Sequence, residues 1–356
     1  MDCFFGGIIL KKDYICIPVT FKNPMDSLLE LVRTPGLALY EIVSNSSPSN
    51  LRRIIASAPQ TRAICNNPRI AGTRYTDSLR HVCSEIFRHF DFGIQEEETV
   101  VINILRGALN FGLRDALSAS YGWYRHNTSF LSAQREREKG DSESWHITEN
   151  GYQKIYFPAK TSIVMGDVVA TGTSLGYGLD TIINTARRQG CSLKNFIFFT
   201  YGGEMAERIF SGIDSACRES FPDYRNTYVV YLEGRFTVPD LTTPLSIKLT
   251  GTDLLRYHAL MAPEFIESQY EDPAYPLERC TIYDAGSRAF WIPEYAHDVA
   301  DYWKQTLSLA ENGMSFIDLL AERFPGLDAG RFPETDLGLL CRRQISEMET
   351  LFLNRG

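Results

Sequence analysis

Apolar residues follow two different spacings in the middle of the chain. Residues 76–90 carry apolar side chains at the three-to-four-residue spacing of one helix face. Residues 99–105 instead form a continuous run rich in β-branched residues, which is typical of a strand buried on both faces in a parallel sheet. A second helical pattern follows over residues 108–117. Helix, strand and helix in succession predict a layered α/β structure.

The same alternation continues further along the chain. Strand-like runs occupy residues 161–165, 195–201 and 227–232, with helical patterns between them at residues 175–186 and 204–217. Because each strand is followed by a helix, neighbouring strands are expected to run parallel with helices packed on both faces. The predicted fold class is therefore α/β, with a mostly parallel, doubly wound sheet.

A polar segment interrupts this alternation. Residues 134–143 are almost entirely charged or polar and lie between strand-like stretches at residues 123–131 and 152–157. Long polar connections of this kind lie on the surface and are mobile. We therefore predict a flexible loop on a hairpin.

The two ends of the chain have weaker patterns. Near the N-terminus, residues 4–10 and 38–43 are strand-like. Beyond residue 235, proline-rich stretches precede helical patterns at residues 295–311, 316–324 and 337–352. These differences divide the chain into an N-terminal segment (1–75), a core (76–234) and a mainly helical C-terminal region (235–356).

Composition narrows the class of protein. The 356 residues include 36 Lys and Arg against 44 Asp and Glu, for a formal charge of −8, and 44% are apolar, as in ordinary globular proteins. A negative total without a basic tail argues against sequence-independent binding to nucleic acid. No apolar run approaches the ~18 residues of a membrane span, and the N-terminus lacks the basic start of a signal peptide. We therefore expect a cytoplasmic protein that binds neither nucleic acid nor membranes.

The cysteines and histidines indicate no transition-metal centre. Eight cysteines and six histidines are scattered along the chain without CxxC, HxH or HExxH spacing. This distribution favours reduced, buried thiols over metal ligands.

The segment with the clearest chemistry is the connection after the strand at residues 161–165. A carboxylate closes that strand and a Gly/Thr/Ser turn opens the following helix, where unpaired N–H groups and the helix dipole favour an anion. Gly172 allows close approach of the backbone, and the hydroxyls add donors. The candidate ligand contacts on this connection are Asp167, Ala170, Thr171, Gly172, Thr173 and Ser174.

Two other interpretations apply to this turn. The same Thr, Gly and Ser residues also fit a capped helix start with no ligand, because such turns are common after strands. A nucleotide-binding Walker loop is excluded because no Lys follows Gly172, and the three-glycine dinucleotide turn is absent from this segment.

The segment resembles the PRPP-binding motif of type I phosphoribosyltransferases. In that family two acids, two apolar residues and a Thr-Thr-Gly-type turn follow an apolar strand. Here Gly166 stands in place of the first acid, which leaves Asp167 as the only carboxylate. The resemblance implies that the acids hold the ribose hydroxyls and that the turn holds the 5-phosphate.

A second segment, after the strand at residues 99–105, resembles the pyrophosphate loop of the same family. Its residues Arg106, Gly107 and Ala108 are most similar to the form found in uracil phosphoribosyltransferases. The resemblance implies that Arg106 faces the leaving diphosphate. An exposed basic residue at a helix start is the alternative, although the helix dipole disfavours a cation there.

The polar loop supplies a third element of the resemblance. Type I enzymes close a flexible loop between these two motifs over the reacting centre, which implies that Arg135, Arg137 and Lys139 reach the diphosphate. A solvated charge run is the alternative for each of these residues. The predicted catalytic residues are Asp167, Arg106, Arg135 and Arg137.

A short stretch in the C-terminal region extends the comparison with the uracil enzymes. Residues 284–288 are similar to their base-proximal Asp-Ala-Gly-Asp-Arg segment, but they lie more than a hundred residues beyond the turn. A chance match is the alternative.

Together these motifs imply a PRPP-dependent phosphoribosyltransferase. Its expected partners are PRPP, a nucleobase or related heterocycle, and Mg²⁺ bridged by the substrate; a homodimer is also expected, because sheets of this kind often pair. The segments outside the core are expected to form a hood that selects the acceptor. Two alternatives remain open, a noncatalytic PRPP- or nucleotide-binding regulator and an interaction protein that acts through its C-terminal region.

Overall fold

The computed structural model describes residues 26–44, 51–105, 107–137, 145–149, 151–249, 253–279 and 285–350. The strands are β1 (Asp26–Arg33), β2 (Ala38–Ser44), β3 (Leu51–Ser57), β4 (Thr99–Leu105), β5 (Asn127–Ser132), β6 (Gln134–Arg137), β7 (Trp145–Glu149), β8 (Gln153–Lys154), β9 (Lys160–Val169), β10 (Ser192–Gly203), β11 (Asn226–Thr237) and β12 (Leu255–Met261). The α-helices are α1 (Pro59–Asn66), α2 (Thr73–His89), α3 (Leu113–Tyr121), α4 (Thr173–Gln189), α5 (Glu204–Ser220), α6 (Pro263–Ser268), α7 (Ala285–Phe290), α8 (Ile292–Glu311), α9 (Phe316–Arg323) and α10 (Leu337–Met348). Short 3-10 turns are Glu96–Glu98, Gly107–Phe111 and Ala329–Arg331.

One mixed sheet organises most of these elements. Its strands follow the order β1-β2-β3-β11-β10-β9-β4-β5-β8, with β12 paired to β11. The six central strands from β3 to β5 are parallel, and β1, β2, β8 and β12 add antiparallel pairs. The fold is therefore α/β with a parallel centre, as the alternation of apolar patterns predicts.

The direction of winding reverses between β4 and β9. From β4 the chain passes through α3 to β5 on one side, whereas from β9 it passes through α4, β10 and α5 to β11 on the other. The carboxyl ends of the two adjacent strands flank this reversal, and open α/β sheets bind ligands at such switch points.

The side chains of β10 show which helices cover each face. The rings of Phe198 and Phe210 in α5 lie 4.8 Å apart between centroids, whereas the next residue, Phe199, lies 5.2 Å from Phe87 of α2. Because successive strand residues point to opposite faces, α5 and its neighbour α4 cover one face. The other face is covered by α2 with α1 and α3.

The C-terminal region contains the helices α6 to α10. It also contains β12, which the proline-rich pattern did not indicate and which pairs antiparallel with β11. Helix α7 packs against the turn at Gly107–Phe111 and against α2. The role of this region as a hood stays a prediction.

Two predicted elements differ in detail from those in the structure. The helical pattern at 108–117 corresponds to the 3-10 turn and α3, which are separated by Gly112 at a left-handed φ of 55°. The first part of the polar run, predicted as loop, forms β6, which pairs with β7 in a hairpin. Residues 138–144 and the predicted strand at 4–10 lie outside the described residues.

The predicted division of the chain is not visible as separate sheets. The ends of the 76–234 core fall inside α2 and β11, and β3 pairs in parallel with β11. The three-part division therefore stays a prediction. Within the described residues, no helix is both long and apolar enough to cross a bilayer.

Candidate active site

The Gly/Thr/Ser turn joins β9 to α4 at the switch point. Gly172 adopts a left-handed φ of 77°, and a Cβ atom there would lie 2.9 Å from Cγ of Met205 in α5. Both the backbone conformation and the packing of α5 under the turn therefore require glycine. The turn therefore packs closely against α5.

Helix α4 begins without a side-chain cap. Gly172 occupies the N-cap position. The structure describes every residue of α4, and its first turn contains no acidic residue. The Thr171 and Thr173 hydroxyl oxygens lie 3.3 Å apart, and Thr173 and Ser174 are half-buried. Because the first N–H groups of a helix have no intrahelical acceptor, this end of α4 fits an anion such as a phosphate.

Asp167 lies near the carboxyl end of β9. It is in register with Thr200 of β10, its side chain is half-buried, and its Oδ1 accepts a hydrogen bond of 2.8 Å from the Val168 N–H. Ala170, the next predicted contact, is buried between Asp167 and the turn. The structure thus brings the predicted ribose and phosphate residues together on one connection.

Packing explains the missing acid of the motif. An ideal Cβ at Gly166 would lie 2.8 Å from Cγ of Phe111, and the Phe111 ring is fully buried. Phe111 ends the 3-10 turn that follows β4. A side chain at position 166 therefore requires the Phe111 ring to move.

The predicted diphosphate segment follows β4, the strand that pairs with β9. Gly107 and Ala108 begin the 3-10 turn after β4, and Ala108 is buried. Arg106 and Lys139 lie outside the described residues. The backbones of Arg135 and Arg137 lie in β6, opposite Ile147 and Trp145 of β7.

The C-terminal stretch similar to the uracil enzymes lies closer to the switch point than its sequence position suggested. Asp284 lies outside the described residues, but Arg288 lies in the last turn of α7 and is fully buried. Its guanidinium donates hydrogen bonds to the carbonyls of Ile64 at 2.9 Å and Ile70 at 2.8 Å. Arg288 therefore joins α7 to the connection between α1 and α2.

Sequence reasoning missed Tyr75, in the first turn of α2. Its ring lies 5.0 Å from the Arg288 guanidinium, and its side chain is fully buried. Burial raises the pKa of the Tyr75 phenol, with a smaller contribution from the Asp167 carboxylate. The sequence does not distinguish Tyr75 from an ordinary core residue, because its side chain continues the apolar face of α2.

A second missed residue, Glu233, lies in β11 at the same edge of the sheet. Its φ of 66° is left-handed, and its carboxylate accepts hydrogen bonds from Ser57 Oγ at 2.6 Å, from the Ala58 N–H at 2.9 Å and from Thr61 Oγ1. Burial raises the pKa of Glu233 to about 7. This cluster fixes the start of α1 rather than lining the β9–α4 turn.

Comparisons with known proteins give phosphoribosyltransferases as structural neighbours. No protein-family model and no curated protein sequence matches the chain. A hypoxanthine phosphoribosyltransferase from Staphylococcus aureus is 14% identical over 36% of this chain and 64% of its own, with a TM-score of 0.24. An adenine phosphoribosyl transferase from Trypanosoma brucei, in complex with AMP, pyrophosphate and ribose-5-phosphate, is 12% identical over 56% of this chain and 90% of its own, with a TM-score of 0.32.

A hypoxanthine phosphoribosyltransferase from Trypanosoma cruzi is 15% identical over 58% of this chain and 92% of its own, with a TM-score of 0.24. The chain thus spans less than two thirds of the Staphylococcus aureus protein. TM-scores no higher than 0.32 leave the family unassigned. The uracil subgroup suggested by residues 106–108 stays a prediction.

Proposed function

We propose that the protein is a PRPP-dependent phosphoribosyltransferase that transfers ribose 5-phosphate to a nucleobase or related heterocycle and releases diphosphate. The observation that carries the proposal is the adjacency of two connections. The β9–α4 turn and the turn after β4 lie at the carboxyl ends of neighbouring parallel strands, where the winding reverses. One connection has an uncapped helix start, and the other has the Arg-Gly-Ala segment.

In the proposed reaction the bond between ribose C1 and the diphosphate oxygen breaks, and a nitrogen of the acceptor forms the new bond to C1. The bonding electrons leave with diphosphate, and the acceptor nitrogen loses its proton to solvent. Positioning and electrostatics supply most of the catalysis, because the ribose develops positive charge as the bond breaks.

The protein's own groups have separate roles in this proposal. The N–H groups at the start of α4, with the hydroxyls of Thr171, Thr173 and Ser174, hold the 5-phosphate, and Asp167 orients the ribose. Gly107 and Ala108 let the backbone approach the diphosphate. Charge on the diphosphate is offset by a set of cations, namely Arg106, Arg135, Arg137 and Lys139.

Magnesium fits this site as a substrate-bridged ion. Among the described residues no group of three His, Cys, Asp or Glu side chains could hold a metal, and Asp167 is the one carboxylate of the β9–α4 connection. Mg²⁺ commonly takes its ligands from phosphates and water with one or two carboxylates. When bound, the ion would neutralise charge on the diphosphate.

The test is turnover of the full-length protein. Incubation with PRPP, Mg²⁺ and a panel of pyrimidines, purines and other heterocycles is expected to release diphosphate with at least one acceptor. Calorimetry with PRPP and Mg²⁺ measures binding independently of the acceptor. An absence of heat at millimolar PRPP rules out the proposal.

A second candidate function is noncatalytic PRPP or nucleotide binding. The observation that favours it is the Phe111 ring, which fills the space of the missing acid at Gly166. PRPP binding with no diphosphate release across the whole acceptor panel would support this regulator over the enzyme.

A further inference from the structure

The Tyr75 hydroxyl is buried without a hydrogen-bond partner. Nearby buried tyrosines differ, because Tyr201 donates to the Thr61 carbonyl at 3.3 Å and Tyr295 donates to the Pro68 carbonyl at 2.9 Å. A buried hydroxyl without a partner costs stability, since it loses hydrogen bonds to water without replacing them. Each such group in a folded protein therefore calls for an explanation, and a catalytic role or a bound water or ion is among the known ones.

Tyr75 lies in the helical layer on the face of the sheet toward which a side chain at position 166 would point. Gly166 is in register with Phe199, which packs on Phe87 of α2. Neighbouring residues in register on parallel strands point to the same face. The side chain missing at position 166 would therefore point toward the helical layer that contains Tyr75.

The ring of Tyr75 is held in one orientation. Its face lies 5.0 Å from the guanidinium of Arg288, which the carbonyls of Ile64 and Ile70 fix in place. Burial raises the pKa of the phenol, so the hydroxyl stays protonated and able to donate at neutral pH. The Asp167 carboxylate is close enough to add to this effect.

We infer that Tyr75 is a substrate-binding residue, whose hydroxyl donates to a ribose oxygen beside Asp167 and takes over part of the role of the acid absent at Gly166. This inference rests on the proposed function. It names a polar contact from α2, an element that precedes both recognised motifs in the chain.

The experiment compares Tyr75→Phe with the matched control Tyr295→Phe. Both variants lose one phenolic hydroxyl near Arg288, but only the Tyr295 hydroxyl has a partner within the protein. Binding of PRPP with Mg²⁺ is measured by calorimetry, and unfolding by thermal melting. Tyr75→Phe is expected to weaken PRPP binding about tenfold, the effect of one hydrogen bond, with an unchanged or raised Tm.

Tyr295→Phe is expected to lower the Tm and to keep the parent's affinity for PRPP. If Tyr75→Phe binds PRPP as tightly as the parent does, the inference is overturned and the proposed function stands. If the parent itself shows no PRPP binding, the proposed function fails and the inference fails with it. A lower Tm for Tyr75→Phe with unchanged affinity also overturns the inference, because the hydroxyl then serves the fold.

Discussion

At the scale of single residues, Gly166 and Phe111 determine what the switch point can hold. Phe111 comes from the connection after β4 and covers the Cα atom of Gly166 in β9. The two positions are linked by packing, so restoring the acid of the family motif requires more than one change.

Replacing Gly166 with Asp is therefore expected to destabilise the protein by about 1–3 kcal/mol, as overpacking of a core commonly does. Urea unfolding measures the change. The control is Gly176→Ala in α4, where a Cβ meets nothing within 4 Å and alanine stabilises a helix by about 0.5–1 kcal/mol. Parent-like stability of Gly166→Asp would show that the Phe111 ring moves aside without cost.

Glu233 gives the fold a pH dependence near neutrality. Its pKa rises from the ordinary 4.5 to about 7 because the carboxyl group is buried. A raised pKa means that the folded state binds the proton more tightly than the unfolded state. The stabilisation is therefore complete below about pH 4.5 and is lost as the pH rises through about 7.

Replacing Glu233 with Gln is expected to remove this slope, which amounts to about 3 kcal/mol between pH 4.5 and pH 8. Urea unfolding of the parent and the variant across that range measures it. Glu219→Gln, at an exposed position of α5, should follow the parent at every pH. Identical slopes for the parent and Glu233→Gln would contradict the prediction.

At the scale of elements, α4 has glycine at both ends in nearly the same conformation. Gly172 has a φ of 77° and Gly190 has a φ of 67°. A Cβ at Gly190 meets nothing within 4 Å, whereas one at Gly172 meets α5. Substitutions at the two glycines therefore distinguish the stability cost of a left-handed residue from an effect on the predicted anion site.

Alanine at Gly190 is expected to cost about 1–2 kcal/mol of stability, because that residue is left-handed. Alanine at Gly172 is expected to cost more, because its Cβ also meets α5. Only Gly172→Ala is expected to weaken PRPP binding, since it also displaces the start of α4 from α5. Thermal melting and calorimetry measure the two effects. Equal PRPP affinities for both variants would contradict the assignment of the 5-phosphate site to this turn.

At the scale of the whole molecule, the N-terminal strands belong to the same sheet as the switch point. Beyond the pairing of β3 with β11, Arg235 of β11 forms ion pairs with Asp26 of β1 at 2.7 Å and with Glu207 of α5 at 2.9 Å. Arg53 of β3 also pairs with Glu207, at 2.6 Å. These buried and half-buried charges depend on each other, because removing one partner leaves an uncompensated charge.

A fragment of residues 76–234 is therefore expected not to fold. It would expose the edge of β11 and would leave Glu207 without Arg53 and Arg235. Circular dichroism and proton NMR of the fragment, beside the full chain, test this. A dispersed spectrum with cooperative unfolding of the fragment would establish residues 76–234 as an independent domain.

The local elements were predictable because they depend on neighbouring residues. The apolar face of α2, the β-branched run of β4 and the alternating pattern through β11 each lie within one segment, and the structure confirms them. The β9–α4 turn was predictable for the same reason, since Asp167, Gly172 and Ser174 are close in sequence. Strand β6 was missed because the charged composition of residues 134–137 resembles a loop.

The sequence by itself determined the α/β alternation, the glycine turn before α4 and the single carboxylate left in the motif. Only the tertiary structure decided that Phe111 fills the space of the missing acid, that the Tyr75 hydroxyl is buried without a partner, and that Glu233 is buried at the start of α1. The physical reason is range. Periodicity and turn chemistry act over a few residues, whereas burial and the pairing of polar groups depend on which distant segments meet.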